Sequence, residues 1–368
     1  MGVLEKIKDI ELEISRTQKN KHTEYHVGLL KGKLARYRSE LVEMQKGSTG
    51  GQKGDGFEVA KAGNARVAMV GLPSVGKSTL LNQITDTKSC VAAYEFTTLC
   101  CIPGVIQHNG AKIQLLDLPG IIAGAAEGKG RGKQVIATAK TADLLLMIID
   151  ASQPDQKRIL TDELINLGIR VNCSPPNIQF HIKQGGGIHF ASTCYLTHLD
   201  ERLVYGILQD FRIFNAEIVV HEDATVDQFV DLVQGTCLYL PCLYVYNKID
   251  TLCMEEVDRL ARQPMSVVIS AELSLNLDRL IMRIWRQLDL IRVYTKKPSQ
   301  NPQFNDAIIL KPHSTIEDVC CQVHRSLLGN FKYALVWGRS VKYSPQRVSF
   351  KHVLQDQDVV QIVKRVNM

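Results

Sequence analysis

The chain has 368 residues, 45% of them hydrophobic and 22% charged, with a formal net charge of +6. That size and balance allow two or three domains whose cores need no disulfide or metal staple, and exclude wholesale disorder, a collagen repeat or a coiled-coil rod. The charge is uneven: residues 1–53 hold 11 Lys/Arg against 7 Asp/Glu, residues 291–368 hold 12 against 5, and the span between is net negative, so the basic ends are expected to meet something anionic, nucleic acid or an acidic protein surface.

In chain order, Ile7, Ile10 and Ile14 recur at helical spacing, and Leu29, Leu30, Leu34 and Leu41 do so again after His26-Val27-Gly28. This predicts an antiparallel helical hairpin with a basic outer face. A Gly/Ser/Lys run at 46–57 reads as a linker that closes a first segment, 1–60. From Arg66 short apolar strands alternate with helices: 66–71, 112–118, 143–150, 238–247 and 266–270. That rhythm predicts a mostly parallel sheet with helical crossovers over 61–290, with ligands bound at the carboxyl ends of the strands. It lapses over about 170–235, which is read as an inserted subdomain. A last unit, 291–368, is expected to be a small mixed sheet with strands at 306–310, 333–338 and 358–363 and one helix over 315–328.

Ten cysteines form no C-x-x-C and have no His at zinc-finger spacing. They are read as small reduced hydrophobes of a cytoplasmic protein. No apolar run reaches bilayer length and the charged start is no signal peptide, so no membrane contact is expected.

The sharpest motif is Gly71-Leu72-Pro73-Ser74-Val75-Gly76-Lys77-Ser78, which fits G-x-x-x-x-G-K-[ST] between a strand and a helix start. Glycines let backbone N–H groups wrap phosphates, and the helix N-terminus adds a favourable dipole. Gly71, Ser74, Val75, Gly76, Lys77, Ser78 and Thr79 are therefore the candidate phosphate cradle. Lys77 is expected at the β/γ-phosphates and the Ser78 hydroxyl on Mg2+. Asp117-Leu118-Pro119-Gly120 closes the next strand as D-x-x-G, with Asp117 on the metal side and the Gly120 N–H near a γ-phosphate. Between these motifs, residues 92–105 read as a mobile loop in which Phe96, Thr97 and Thr98 are candidate nucleotide contacts, and either threonine could offer its hydroxyl to magnesium. Asn247-Lys248-Ile249-Asp250 ends a further strand. The Asp250 carboxylate can accept from guanine N1–H and its N2 amino group, a pattern adenine lacks, and leaving such a buried carboxylate unpaired discriminates strongly. Lys248 is expected along the base plane, and Ser270-Ala271 is expected to give a backbone N–H to the guanine oxygen.

GLPSVGKSTLLN, YEFTTL, LLDLPGII and EGKGRGKQ resemble the Obg group of translation-factor-class P-loop GTPases. RTQKNK, AAYEFTTL, YVYNKID and FKYALVWG narrow the resemblance to the developmentally regulated GTP-binding protein family, and MGVLEKI and MEEVDRLAR resemble the second of its two eukaryotic branches. The resemblance implies an α/β protein: a Ras-like P-loop GTPase domain with an N-terminal helical hairpin, an inserted small α/β subdomain and a C-terminal β-grasp (TGS) domain. It implies that Thr98 binds magnesium, and that Lys77, Thr98 and Gly120 serve hydrolysis. It also implies a cytoplasmic monomer with an RWD-domain or zinc-finger regulatory partner and an association with translating ribosomes or RNA. Cys100 and Ala123 depart from the family pattern in the switch segments.

Ile121 stands where many GTPases have the Gln that orients the attacking water, so slow intrinsic turnover is expected. A partner arginine or a K+ ion are the two candidate activators; Ser74 stands where potassium-dependent relatives carry Asn. Lys129, Arg131 and Lys133 are candidates for phosphate, RNA or partner contact. The alternative function is a GTP-dependent RNA- or protein-binding scaffold with negligible hydrolysis. A small-molecule kinase is disfavoured by Asn247-Lys248-Ile249-Asp250.

Overall fold

The computed structural model describes residues 3–18, 20, 23–47, 63–85, 103–117, 138–235 and 237–364. The apolar spacing near the start becomes two helices, α1 (Val3–Arg16) and α2 (Glu24–Gly47). They run antiparallel, with Glu13 paired to His26 and Glu11 to Arg38. The chain turns before residue 24, where Thr23 N–H donates to the Asn20 carbonyl at 2.9 Å. His26-Val27-Gly28 is thus inside α2 and not a break. Gly28 is small there because a Cβ would come 2.9 Å from Leu203 of a later helix.

The chain continues through β1 (Ala65–Val70), α3 (Lys77–Ile84), β2 (Pro103–His108), β3 (Ala111–Asp117), β4 (Leu144–Asp150) and α4 (Gln156–Asn166). Then come β5 (Ile169–Val171), β6 (Ile178–Ile182), β7 (Ile188–Ser192), α5 (Glu201–Asp210), β8 (Ala216–Val220), α6 (Val226–Gln234) and β9 (Leu238–Leu240). Next are β10 (Cys242–Asn247), α7 (Met254–Ala261), β11 (Ser266–Val268) and α8 (Leu277–Leu288). The last elements are β12 (Ile291–Thr295), β13 (Ala307–Leu310), α9 (Ile316–Val323), α10 (Ser326–Gly329), β14 (Phe331–Trp337), β15 (Gln346–Val348) and β16 (Asp358–Lys364).

A six-stranded sheet has the order β11-β10-β4-β1-β3-β2. Its pairings are parallel except β2 with β3. Helices cover both faces of such a sheet, so β1 and the first six residues of β4 are wholly buried and read as unbroken apolar runs. The expected strand 238–247 is two strands. Pro241 cannot donate to a ladder, so β9 pairs with β5 while β10 pairs with β4. The tail of the segment read as a mobile loop, 103–105, is the start of β2, which is joined to β3 by a turn with φ of 49° at Asn109 and 80° at Gly110.

The C-terminal residues build a five-stranded mixed sheet, β13-β12-β16-β14-β15. Val293, Ala334, Val336 and Val360 pack against Ile316, Val319 and Cys320 of α9. The helix expected over 315–328 is broken at His324, whose φ of −170° and ψ of 127° are extended. Its Nδ1 accepts the Ser326 N–H at 3.2 Å and so starts α10 afresh.

A second unit is discontinuous in sequence: the hairpin and Gly168–Tyr239 cluster together. Its three-stranded sheet β6-β8-β7 shares a core with Val204, Ile207 and Phe229 of α5 and α6, and Leu29 and Ala35 of α2 pack on that core.

Candidate functional site

Sheet register brings the motifs together. Met69 pairs with Asp117, Val70 with Met147, and Asn247 with Asp150. The carboxyl ends of β3, β1, β4 and β10 therefore lie along one edge, where an open α/β sheet binds its ligand.

The loop from β1 to α3 is residues 71–76. Ser74 has φ of 65° and Gly76 has φ of 89°, values that turn successive N–H groups inward. Gly76 cannot be replaced without strain, because a Cβ there would collide with the Asn247 amide nitrogen. Val75 is buried, while Ser74, Ser78 and Thr79 are exposed. α3 has no side-chain cap and no acidic residue in its first turn, so its leading N–H groups are free to serve an anion. Lys77 Nζ donates to the carbonyls of Gly71 at 2.5 Å and Leu72 at 3.2 Å. Burial lowers the Lys77 pKa, against the pull of Asp117.

Asp117 is the counterpart. Burial raises its carboxyl pKa, with Lys77 pulling the other way. Its Oδ1 is buried without a hydrogen-bond partner among the described residues. An orphaned carboxylate oxygen facing the lysine of a phosphate loop suits a hard divalent cation, which takes oxygen ligands. Ser78, the second residue of α3, is exposed at the end of the phosphate loop. The other expected ligand, Thr98, lies outside the described residues, as do Phe96, Thr97, Gly120, Ile121, Cys100, Ala123, Lys129, Arg131, Lys133 and the 48–57 part of the linker.

At the base-side motif, Asn247 is 2% exposed and both ends of its amide are engaged. Nδ2 donates to the Val75 carbonyl at 2.8 Å, and Oδ1 accepts the Ala271 N–H at 2.9 Å. One side chain thus ties the phosphate loop to the segment after β11. The Ala271 N–H aimed by sequence at guanine is held by Asn247 here, and the Ser270 N–H donates to the Leu275 carbonyl at 3.3 Å. Ser270 contributes through its hydroxyl, which donates to Asp250 Oδ1 at 2.6 Å. Asp250 itself is exposed, so the desolvation argument for its selectivity applies once a base covers it.

Lys248 has φ of 64° and donates from Nζ to Asp150 Oδ2 at 2.8 Å. Asp150 is a site residue that motif reading missed. Burial is the largest influence on its carboxyl and acts upward; hydrogen bonds from Lys248 and the Ser152 N–H outweigh it, and the net pKa is lowered. Its signal was present: it ends a buried apolar strand, the position from which this fold presents polar groups.

Among the described residues no cysteine forms a disulfide, no group of three or more His/Cys/Asp/Glu could hold a metal, and no helix is long and apolar enough to cross a membrane.

A P-loop after β1, D-x-x-G on β3 and N-K-x-D on β10 of one α/β sheet, with a separate C-terminal mixed sheet, define a P-loop GTPase domain followed by a TGS domain. Residues 66–178 match the 50S ribosome-binding GTPase family, residues 185–290 the C-terminal region of that domain, and residues 291–364 the TGS domain family. The developmentally-regulated GTP-binding protein 2 homolog of Dictyostelium discoideum is 58% identical over 99% of this chain and 100% of its own. Developmentally-regulated GTP-binding protein 2 of Homo sapiens is 58% identical with the same coverage. Among solved structures, the YchF GTPase of Schizosaccharomyces pombe aligns with a TM-score of 0.45 at 13% identity, covering 83% of this chain and 99% of that one. The chain belongs to the developmentally regulated GTP-binding protein family, on the branch of protein 2.

Proposed function

We propose that the chain binds GTP and GDP and hydrolyses GTP slowly, as a switch that acts on ribosome-associated processes in the cytoplasm. The observation that carries the nucleotide reading is Asn247, whose buried amide couples the Val75 carbonyl of the phosphate loop to Ala271. Phosphate grip and base recognition are thereby parts of one rigid constellation. Lys77 and the N–H groups of residues 74–79 bind the phosphates, and Asp250, oriented by Ser270, accepts from the guanine edge. Mg2+ would be held by Ser78, Asp117 and Thr98, and when bound it offsets phosphate charge.

Ile121 cannot hydrogen-bond to water, so intrinsic turnover is on the order of 10⁻⁴ to 10⁻² s⁻¹. A partner arginine or K+ then supplies the missing charge. Loss of the γ-phosphate would release the segments around Thr98 and Gly120, and an RWD-domain or zinc-finger protein and ribosomal RNA are the readers we assign to that change. The match of residues 66–178 to the 50S ribosome-binding GTPase family supports the ribosomal part of this reading.

The same Ile121 favours a second reading, a GTP-dependent scaffold that barely turns over. Single-turnover hydrolysis with and without potassium separates the two; no product under either condition selects the scaffold. Nucleotide choice is tested by calorimetry. Guanine nucleotides should bind at least 100-fold more tightly than ATP, and Asp250→Asn should exchange that preference for xanthosine nucleotides, because the amide now offers a donor where the carboxylate offered an acceptor. Equal heats for ATP and GTP would remove the proposal.

A further inference from the structure

Asp250 stands on a single 3-10 turn, Ile249–Thr251, that follows β10. Lys248 leads into the turn in the left-handed region, with φ of 64° and ψ of 38°, which is uncommon for a residue with a Cβ. None of the turn's three residues is buried, so apolar packing does not hold it and polar contacts must. Two of these are simple: the Ser270 hydroxyl donates to Asp250, and the Ile249 N–H donates to the Ile269 carbonyl at 3.3 Å.

The others close a ring. Lys248 Nζ donates to Asp150 Oδ2 at 2.8 Å, and Asp150 Oδ1 accepts the Ser152 N–H at 3.0 Å. The Ser152 and Thr251 hydroxyls lie 3.1 Å apart, and the Thr251 hydroxyl donates to the Lys248 carbonyl at 2.9 Å. Thr251 has one hydroxyl proton, so Ser152 is the donor between them. The ring thus ties the segment after β4 to the turn after β10. It is backed from inside by Gln156 at the start of α4, which is buried. Its Oε1 accepts the Asp150 N–H at 3.2 Å, and its Nε2 donates to Gln153 Oε1 at 2.8 Å.

Ser152 and Thr251 are exposed. A lone bond between exposed hydroxyls adds little, because water replaces it. In a closed ring each bond orients the next donor, and two members of this one, Lys248 and Thr251, bracket Asp250. A carboxylate that takes two hydrogen bonds from a purine edge must be held to within about 0.5 Å for both to form.

We infer that Ser152 and Thr251 are positioning residues for guanine recognition. Their paired hydroxyls fix the turn that carries Asp250, and so set both the dissociation rate of the nucleotide and the preference for guanine. The assignment rests on the nucleotide reading above and adds to it two residues that lie outside the N-K-x-D motif.

The test uses the full chain with Mg2+. Dissociation of a fluorescent GDP is followed after a chase of unlabelled GDP. GDP is also competed against inosine diphosphate, which lacks the exocyclic amino group that Asp250 would accept from. Thr251→Val keeps the shape without the hydroxyl, Thr251→Ser keeps the hydroxyl, and Ser152→Ala removes the other half of the pair. Thr251→Val and Ser152→Ala should each speed GDP dissociation about threefold or more, and narrow the preference for GDP over inosine diphosphate by about the same factor. Thr251→Ser should match the parent. Because both hydroxyls serve one ring, the double variant should be no faster than the quicker single variant. If Thr251→Val fails to fold, Ser152→Ala, at an exposed loop position, carries the same test. Unchanged rates would overturn the assignment. So would equal losses for GDP and inosine diphosphate, a Thr251→Ser variant as fast as Thr251→Val, or effects that multiply in the double variant. A parent chain that binds no GDP would instead strike the nucleotide reading, and this assignment with it.

Discussion

Asp150 shows how one carboxylate can support a motif to which it does not belong. It lies opposite Asn247 in the β4–β10 register and takes the Lys248 ammonium at 2.8 Å. Its side chain is 15% exposed, so the pair is shielded more than a surface bridge. Replacing Asp150 by Asn keeps the shape and removes the charge. Lys248 then loses the partner that positions it beside the base site, and GDP affinity should fall about tenfold, about 1.4 kcal/mol, in the lower range for a hydrogen bond to a charged group. The pH sign follows from the lowered pKa of Asp150. A carboxyl whose folded value is lowered stabilises the native state above its unfolded value, here 3.8, and loses that contribution as pH falls through the lower folded value. The melting temperatures of parent and Asp150→Asn should therefore differ by a constant amount from about pH 5 to 8 and converge in stronger acid. A gap that widened on acidification would contradict the ion pair.

At the scale of elements, buried parallel strands were legible because a sheet covered on both faces demands unbroken apolar runs, and β1, β3 and β4 fall within a residue of where those runs end. The phosphate loop was legible because its residue types follow from its backbone chemistry. β2 was not read, although His108-Asn109-Gly110-Ala111 carries a strong short hairpin signal; proximity to the expected Thr97–Thr98 loop drew it into that segment. The single strand over 238–247 and the single helix over 315–328 failed for the opposite reason: apolar periodicity ran on through Pro241 and His324, and a local backbone break outweighed it. The β2–β3 turn offers a clean measurement. A Cβ at Gly110 would meet nothing within 4 Å, so the only penalty of Gly110→Ala is the left-handed backbone, about 1 kcal/mol. Urea denaturation should show a lower midpoint with an unchanged slope. An unchanged midpoint would mean that the turn relaxes to another conformation without loss.

The discontinuous unit is the part of the molecule that the sequence could least disclose, since its two pieces are over a hundred residues apart and each reads locally as an ordinary helix pair or small sheet. What joins them is a tight crossing of α2 on α5. Gly28 of α2 faces Leu203, and Gly206 of α5 faces Leu29, with a Cβ at Gly206 coming 2.7 Å from the Leu29 side chain. Around this contact the Arg36 guanidinium donates to the Asp210 carbonyl at 2.8 Å, and Lys31 pairs with Asp227 at 2.6 Å. Glycines in helix interiors are unfavourable by roughly 0.5–1 kcal/mol each, and here the close approach of two apolar helix faces offsets that. The hairpin is therefore a structural cover for the inserted segment as well as a basic surface, and its basic residues cannot all be free for a partner. Gly206→Leu in the full chain would drive a branched side chain into Leu29, an overpacking that costs about 1–3 kcal/mol. Hydrogen exchange should then quicken in residues 24–40 and 201–234 together, because the two segments share one core. GDP affinity, set by residues of the other unit, should stay as it was. Faster exchange confined to 201–234, with α2 still protected, would show that the hairpin holds itself and that the two pieces do not stabilise one another.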